Sequence, residues 1–247
     1  MAPHNIEFED KRIYAWLDTI GSDDCRKRTL SYQRSLLEKR KKYIPKVVKL
    51  ARKQDIRYTY FSPEQAFEFA VLEFPFSLWQ WGHGCENIPS PDASKKQQLK
   101  FLDDVSSFSF WGDGAMENYG SHYYQAATQM GYYGYETEDF EGLLKALPMN
   151  PHPHAAFVPN KMNFTYDGTL SKKGFEWLKT EGNNFIYIYG ANDTWTATGV
   201  PRSDQVNSHW FILKGKHHGN ARIRNMNREE QIELVGALEE WLEMEIE

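Results

Sequence analysis

Apolar residues recur at helical spacing through the first two thirds of the chain and then give way to two unbroken apolar runs. From Asp10 to Ile20, Ile13, Trp16, Leu17 and Ile20 share one face, and Gly21 is placed to stop the helix. Between Arg26 and Leu50, basic residues alternate with Leu30, Tyr32, Leu36, Leu37, Tyr43, Val47 and Val48, and Pro45 is expected to divide the stretch into two elements. Ser62-Pro63-Glu64-Gln65 predicts a sharp start, with Ser62 as cap, Pro63 in the first turn and Gln65 closing a capping box. The helix that follows carries Phe67, Ala70, Val71 and Phe74 and should end near Pro75. Ser90-Pro91 predicts another start, of a helix reaching Val105 with Leu99 and Leu102 inward. An aromatic stretch from Ser106 to Tyr135 contains a helix over about 119–130, ended by Gly131. Pro148, Pro151, Pro153 and Pro159 then predict an irregular connector.

After Pro159 the rhythm changes. Leu170 to Thr180 reads as a short helix. Phe185-Ile186-Tyr187-Ile188-Tyr189 and His209-Trp210-Phe211-Ile212-Leu213 read as strands buried on both faces. Arg228 to Ile246 predicts an amphipathic helix with Ile232, Val235, Leu238, Trp241 and Leu242 on one side. Buried strands flanked by helices are the end of a parallel α/β sheet, and two strands do not make such a sheet alone.

The 247 residues, 40% hydrophobic and 15% aromatic, are those of a folded protein. A formal charge of −5 argues against nucleic acid as a partner, although basic residues cluster between Arg26 and Lys53. No run reaches the length of a membrane span. The first residues lack the basic segment and apolar core of a signal peptide, which says nothing about export if the chain is part of a longer one. Cys25 and Cys85 could form one disulfide, but a lone pair leaves the redox compartment open.

Two loops carry candidate chemistry. Asp193 lies just past the first strand, where α/β sheets hold functional side chains, and could fix the tautomer of a histidine. It could equally just turn the loop together with Asn192. His217 and His218 follow the second strand, placed for proton transfer. Being adjacent, they point apart, and spacing physics does not choose between them. A metal site joining them to His152 and His154 is a weaker reading, because no paired ligand spacing occurs; neither a metal nor another cofactor is expected. The order acid-then-histidine is that of an α/β-hydrolase, whose serine precedes both on a Gly-x-Ser-x-Gly turn, and that turn is absent. Ser121 follows no convincing strand, and Ser62 and Ser90 read as caps.

Tyr189-Gly190-Ala191-Asn192-Asp193 and His218-Gly219-Asn220-Ala221-Arg222-Ile223 resemble the acid and histidine segments of the S37 serine peptidases, the bacterial prolyl or tripeptidyl aminopeptidases of PS-10 type. Val71 to Gly82 resembles that family's aromatic cap segment, and Asp10 to Tyr14 with Gly21 to Arg26 resembles the start of its helical insertion. The resemblance implies the C-terminal portion of an α/β-hydrolase with a large helical cap, lacking the N-terminal strands and the nucleophile elbow. It divides the chain into the end of a core strand at 1–9, a cap at 10–165 and the core's C-terminal part at 166–247. It also implies an enzyme, periplasmic or secreted, that cleaves short peptides from free N-termini through an acyl-enzyme. Asp193 would be the acid and His218 the base, and the chain would be inactive without its own N-terminal half.

An exopeptidase must also neutralise its substrate's terminal amine, which a carboxylate in an aromatic, partly dry pocket does well. Glu73 and Glu117 are the first candidates and Glu136 the third, with Trp79 and Trp81 as channel residues; each could instead be ordinary surface or packing material. Two alternatives remain open at this level. One is a non-catalytic binding or structural module on the same scaffold, the other a different α/β-hydrolase such as an esterase or lipase.

Overall fold

The computed structural model describes residues 5–147 and 163–246. The expected proline-rich connector, His152 and His154, and the segment Ala2 to His4 lie outside them. The chain runs through helices α1 (Arg12–Leu17), α2 (Asp23–Glu38), α3 (Arg40–Lys53), α4 (Pro63–Gln80), α5 (Lys95–Val105), α6 (Asp113–Asn118) and α7 (Gly120–Gln125). It then forms α8 (Thr169–Thr180), strand β1 (Ile186–Gly190), strand β2 (His209–Leu213) and α9 (Arg228–Leu242). Among the described residues no helix is long and apolar enough to cross a membrane.

Helix α4 is the axis of the helical layer. Phe67, Phe69, Val71, Leu72, Phe74, Phe76 and Leu78 are all buried, so it is enclosed on nearly every side, with Glu68, Glu73 and Ser77 as its buried polar positions, and α2, α3 and α5 pack against it. Each of the apolar side chains contributes about 1.5–3 kcal/mol through burial. The helix starts as expected: Gln65 N–H donates to Ser62 Oγ at 3.2 Å, and Ser62 N–H donates to Gln65 Oε1 at 2.9 Å. It does not end at Pro75 but continues to Gln80. Proline lacks the N–H that the Val71 carbonyl would accept, and the buried Gln33 supplies the missing donor, Nε2 to Val71 O at 2.7 Å. A side chain of α2 thus repairs α4, and the apolar residues beyond Pro75 remain in the core.

Two further boundaries differ from expectation. The α2–α3 break falls at Lys39, and Pro45 lies inside α3. Pro45 and Lys41, whose carbonyl loses its partner, are exposed, so water can replace the bond while Tyr43 and Val47 hold the other face in the core. Ser90 closes only a turn, with Ala93 N–H donating to its carbonyl. Helix α5 begins after Ser94, because Ser94 and Gln97 form the capping box there.

The aromatic stretch ends in a wide turn over Ala126–Met130 that Gly131 terminates at φ +69°. A β-carbon on Gly131 would stand 1.8 Å from the Glu7 carbonyl oxygen. That close approach lets Tyr132 pair with the N-terminal segment, through Tyr132 N–H to Phe8 O and Asp10 N–H to Tyr132 O. Glu68, fully buried on α4, accepts the backbone N–H groups of Lys145, Ala146 and Leu147, each at 2.9 Å, and pairs with Arg40 at 2.9 Å. Cys25, in the first turn of α2, is disulfide-bonded to Cys85, which resolves the pairing left open above.

Strands β1 and β2 pair in parallel, Ile186 opposite His209 through Gly190 opposite Leu213. On one face Ile186, Ile188, Phe211 and Leu213 pack with Leu234, Val235 and Leu238 of α9. On the other, Tyr187, Tyr189 and Trp210 pack with Leu178 of α8 and with Val200 and Val206. Helices therefore cover both faces, giving a mixed α/β architecture. Burial is less complete than expected: Ile212 is 54% exposed, and Ile232 and Leu242 of α9 are 61% and 57% exposed. Two strands are too narrow a floor to cover the flanks of α9, so its inward face reduces to Leu234 and Ala237, partly flanked by Val235 and Leu238.

Candidate active site

Asp193 is held by the turn that leaves β1. Its N–H donates to Gly190 O at 3.0 Å, and its Oδ1 accepts the Trp195 N–H at 3.0 Å, capping the short helical turn Thr194–Thr198. Its Oδ2 lies 2.9 Å from His218 Nδ1. Asp193 therefore both turns the loop and meets a histidine, one oxygen for each, and it is fully buried. The His218 side chain is 29% exposed. A buried carboxylate on Nδ1 fixes the ring's orientation and leaves Nε2 on the opposite side of the ring for proton transfer.

The structure also separates the two histidines. His218 turns to Asp193, its backbone N–H donates to Gln80 O at the end of α4 (3.1 Å), and the ring of Trp81 stands edge-on to it at 5.5 Å. His217 turns the other way, onto Gly82. Arg222 donates to the His218 and Ala221 carbonyls at 3.0 and 2.8 Å, supporting the loop from beneath.

The carboxylates singled out in the helical layer do not gather at one point. Glu73, 6% exposed, accepts hydroxyl protons from Tyr133 (2.5 Å), Tyr135 (2.9 Å) and Ser77 (3.2 Å). Burial pushes its carboxyl up to about 7, against the opposing pull of the three hydroxyls. Glu136 is exposed and lines a cavity of about 290 Å³ with Tyr14, Asp18, Trp79 and Asp139. Its carboxyl is raised by partial burial and then by the charges of Asp18, Glu138 and Asp139. Glu117 is exposed on α6 and borders a separate hollow with Arg57 and Asp113, so the structure does not join it to Glu73. Trp81 is exposed beside His218, whereas Trp79 belongs to the wall of the Glu136 cavity.

One connection was not legible in the sequence. Tyr133, which holds Glu73, also packs against Trp195 at 5.1 Å between ring centres, two residues after Asp193. Glu73 is thus linked to the acid loop through two aromatic rings. The dense run Tyr132-Tyr133-Gly134-Tyr135 was the only local sign of it. Ser121 lies on the short helix α7. Among the described residues no group of His, Cys, Asp and Glu is arranged to hold a metal ion.

The family model of the PS-10 peptidases, S37, matches residues 1–235. The chain belongs to the S37 peptidase family. It is 25% identical to a prolyl tri/tetrapeptidyl aminopeptidase of Streptomyces mobaraensis, an alignment that covers 98% of this chain and 51% of that protein. The chain therefore spans about half the length of this S37 relative. No solved structure matches it.

Proposed function

We propose that this chain carries the acid and base of an S37 aminopeptidase that releases short peptides from free N-termini, with Asp193 as the acid and His218 as the base. The observation that carries the reading is the 2.9 Å contact between a fully buried Asp193 and the partly exposed ring of His218, on loops that follow two parallel strands. In this reading His218 Nε2 takes the proton from a serine hydroxyl as that oxygen attacks the scissile carbonyl. It returns the proton to the leaving amine, and water then repeats the sequence to release the acyl group. Asp193 stabilises the imidazolium formed at each stage. The serine and the oxyanion donors are assigned to the half of the family's length that this chain does not span.

The helical layer is assigned the peptide's free amine. Glu136 lines an open cavity together with the acids Asp18 and Asp139, the aromatic rings of Tyr14, Trp79 and Phe140, and the cations Arg26 and Lys27, and has room there for an ammonium group. Glu73 already binds three hydroxyls, and its part is to set the aromatic wall. Glu117 contributes only if a substrate extends to its hollow. By analogy with the name of the Streptomyces relative, the piece released is a tri- or tetrapeptide ending in proline at the cleaved bond, and the resemblance to the S37 family implies an enzyme that works outside the cytoplasm.

The test is reconstitution. This chain, co-expressed with the coding segment that corresponds to the other half of its relative, should hydrolyse a proline-ending tripeptide arylamide and spare its N-acetylated form. Asp193→Asn should lower kcat by about 10⁴, the scale at which a triad acid acts through tautomer and orientation. A verified complex that leaves the free-amine substrate intact overturns the proposal.

A further inference from the structure

We infer that His217 is a positioning residue, which registers the His218 loop on the C-terminal end of α4 by seating its ring on Gly82. Helix α4 ends in a Schellman motif, with Gly82 N–H donating to Trp79 O at 3.1 Å and His83 N–H to Leu78 O at 2.9 Å. The motif puts Gly82 in the left-handed region at φ +72°. The same glycine leaves a bare backbone surface, and the His217 ring fills it: a β-carbon there would stand 2.6 Å from Cδ2 and 2.8 Å from Nε2. Gly82 therefore serves two requirements at once, only one of which is backbone geometry.

His217 is itself locked in place. Its N–H donates to Asn220 Oδ1 at 2.6 Å, its Nδ1 accepts the Gly219 N–H at 3.3 Å, and its carbonyl accepts from Asn220 and Ala221 at 3.0 and 2.9 Å. The next residue is then aimed by geometry. With His217 seated on one side of the backbone, His218 emerges on the other, its N–H on Gln80 O and its ring on Asp193. The disulfide at Cys85, three residues beyond Gly82, fastens that segment to α2. The helical layer thereby sets the orientation of a side chain that belongs to the sheet.

This inference rests on the reading of His218 as the base, but its test does not need peptidase activity, so the two can fail separately. The experiment follows the Nδ1–H proton of His218 by nitrogen-edited NMR on the chain as it stands, with Asp193→Asn as the reference in which the hydrogen bond is lost. His217→Ala and Gly82→Ala should both lose the far-downfield ring proton to the extent that Asp193→Asn does. His217→Asn, whose side-chain oxygen can still accept from Gly219 N–H but which has no ring to seat on Gly82, should lose it as well. Backbone resonances of α9 report folding; if Gly82→Ala does not fold, the two His217 variants decide. Folded His217→Ala protein that keeps the ring proton overturns the inference. So does retention of the proton in folded His217→Asn, because the role would then rest on the loop's own hydrogen bond and not on the seat at Gly82.

Discussion

Glu73 offers the most quantitative test of how the helical layer is built. Its carboxyl is buried beneath Tyr133 and Tyr135, and burial displaces it from an ordinary value of 4.5 to about 7. At about 1.4 kcal/mol per tenfold change, that displacement corresponds to about 3 kcal/mol. The sign follows from proton counting. Between pH 4.5 and 7 the unfolded chain has released this proton while the folded chain retains it, so stability falls as pH rises through that window. The contribution is complete below the unfolded value and gone above the folded one. Glu73→Gln removes the titration but keeps the shape, one acceptor oxygen and the buried hydroxyl partners. Urea unfolding of the chain and of this variant at pH 4, 5, 6, 7 and 8 should show the wild type losing about 3 kcal/mol relative to the variant across the series. Other titrating groups, His83 and His122 among them, are common to both proteins and cancel. A difference that stays constant within extrapolation error, or that grows in the wild type's favour with pH, refutes the argument.

Other buried polar groups should respond in proportion to what they leave unpaired. Glu68→Gln leaves the partly buried Arg40 guanidinium without its carboxylate and weakens the anchor of 145–147, and should cost about 3 kcal/mol by urea unfolding, the low end for a buried pair. Gln33→Leu orphans the Val71 carbonyl for about 1–3 kcal/mol, and Pro75→Ala in the same chain should recover most of the loss by returning a backbone donor; a double-mutant cycle without that coupling dismisses the repair. Reduction of Cys25–Cys85, which closes 60 residues, should lower stability by about 4 kcal/mol, read as a drop in the urea midpoint with dithiothreitol against the Cys25→Ser control, which should be insensitive to it.

Much of the architecture is local and could be read directly. The capping box at Ser62, the helix stop at Gly131, the two strands and the acid-then-histidine order all depend on residues close in the chain. What escaped depends on partners far away. Pro75 reads as a terminator because the residue that excuses it, Gln33, lies 42 positions earlier on another helix. Glu73 looked available for a ligand because two of its three hydroxyl partners are 60 and 62 residues downstream. Asp193 posed a choice between turn residue and acid, and its two oxygens take both parts. His217 and His218 are indistinguishable by type and neighbourhood, and what separates them, Asp193 on one side and Gly82 on the other, lies 25 residues from His218 and more than a hundred from His217.

Helix α4 also sets a limit on how this sequence can vary in length. Glu73 and Gln80 are seven residues apart on it, about 10 Å along the axis. One residue inserted between them would turn the helix end by about 100° and advance it by about 1.5 Å. Gln80 O would then miss the His218 N–H, and Gly82 would no longer lie beneath His217. Substitutions on the exposed side of this stretch should be absorbed, whereas a single insertion or deletion should not. The turn at 91–94, exposed at Pro91, Asp92 and Ser94 and beyond the disulfide, is where α4 and its sequel can gain or lose residues without disturbing the histidine.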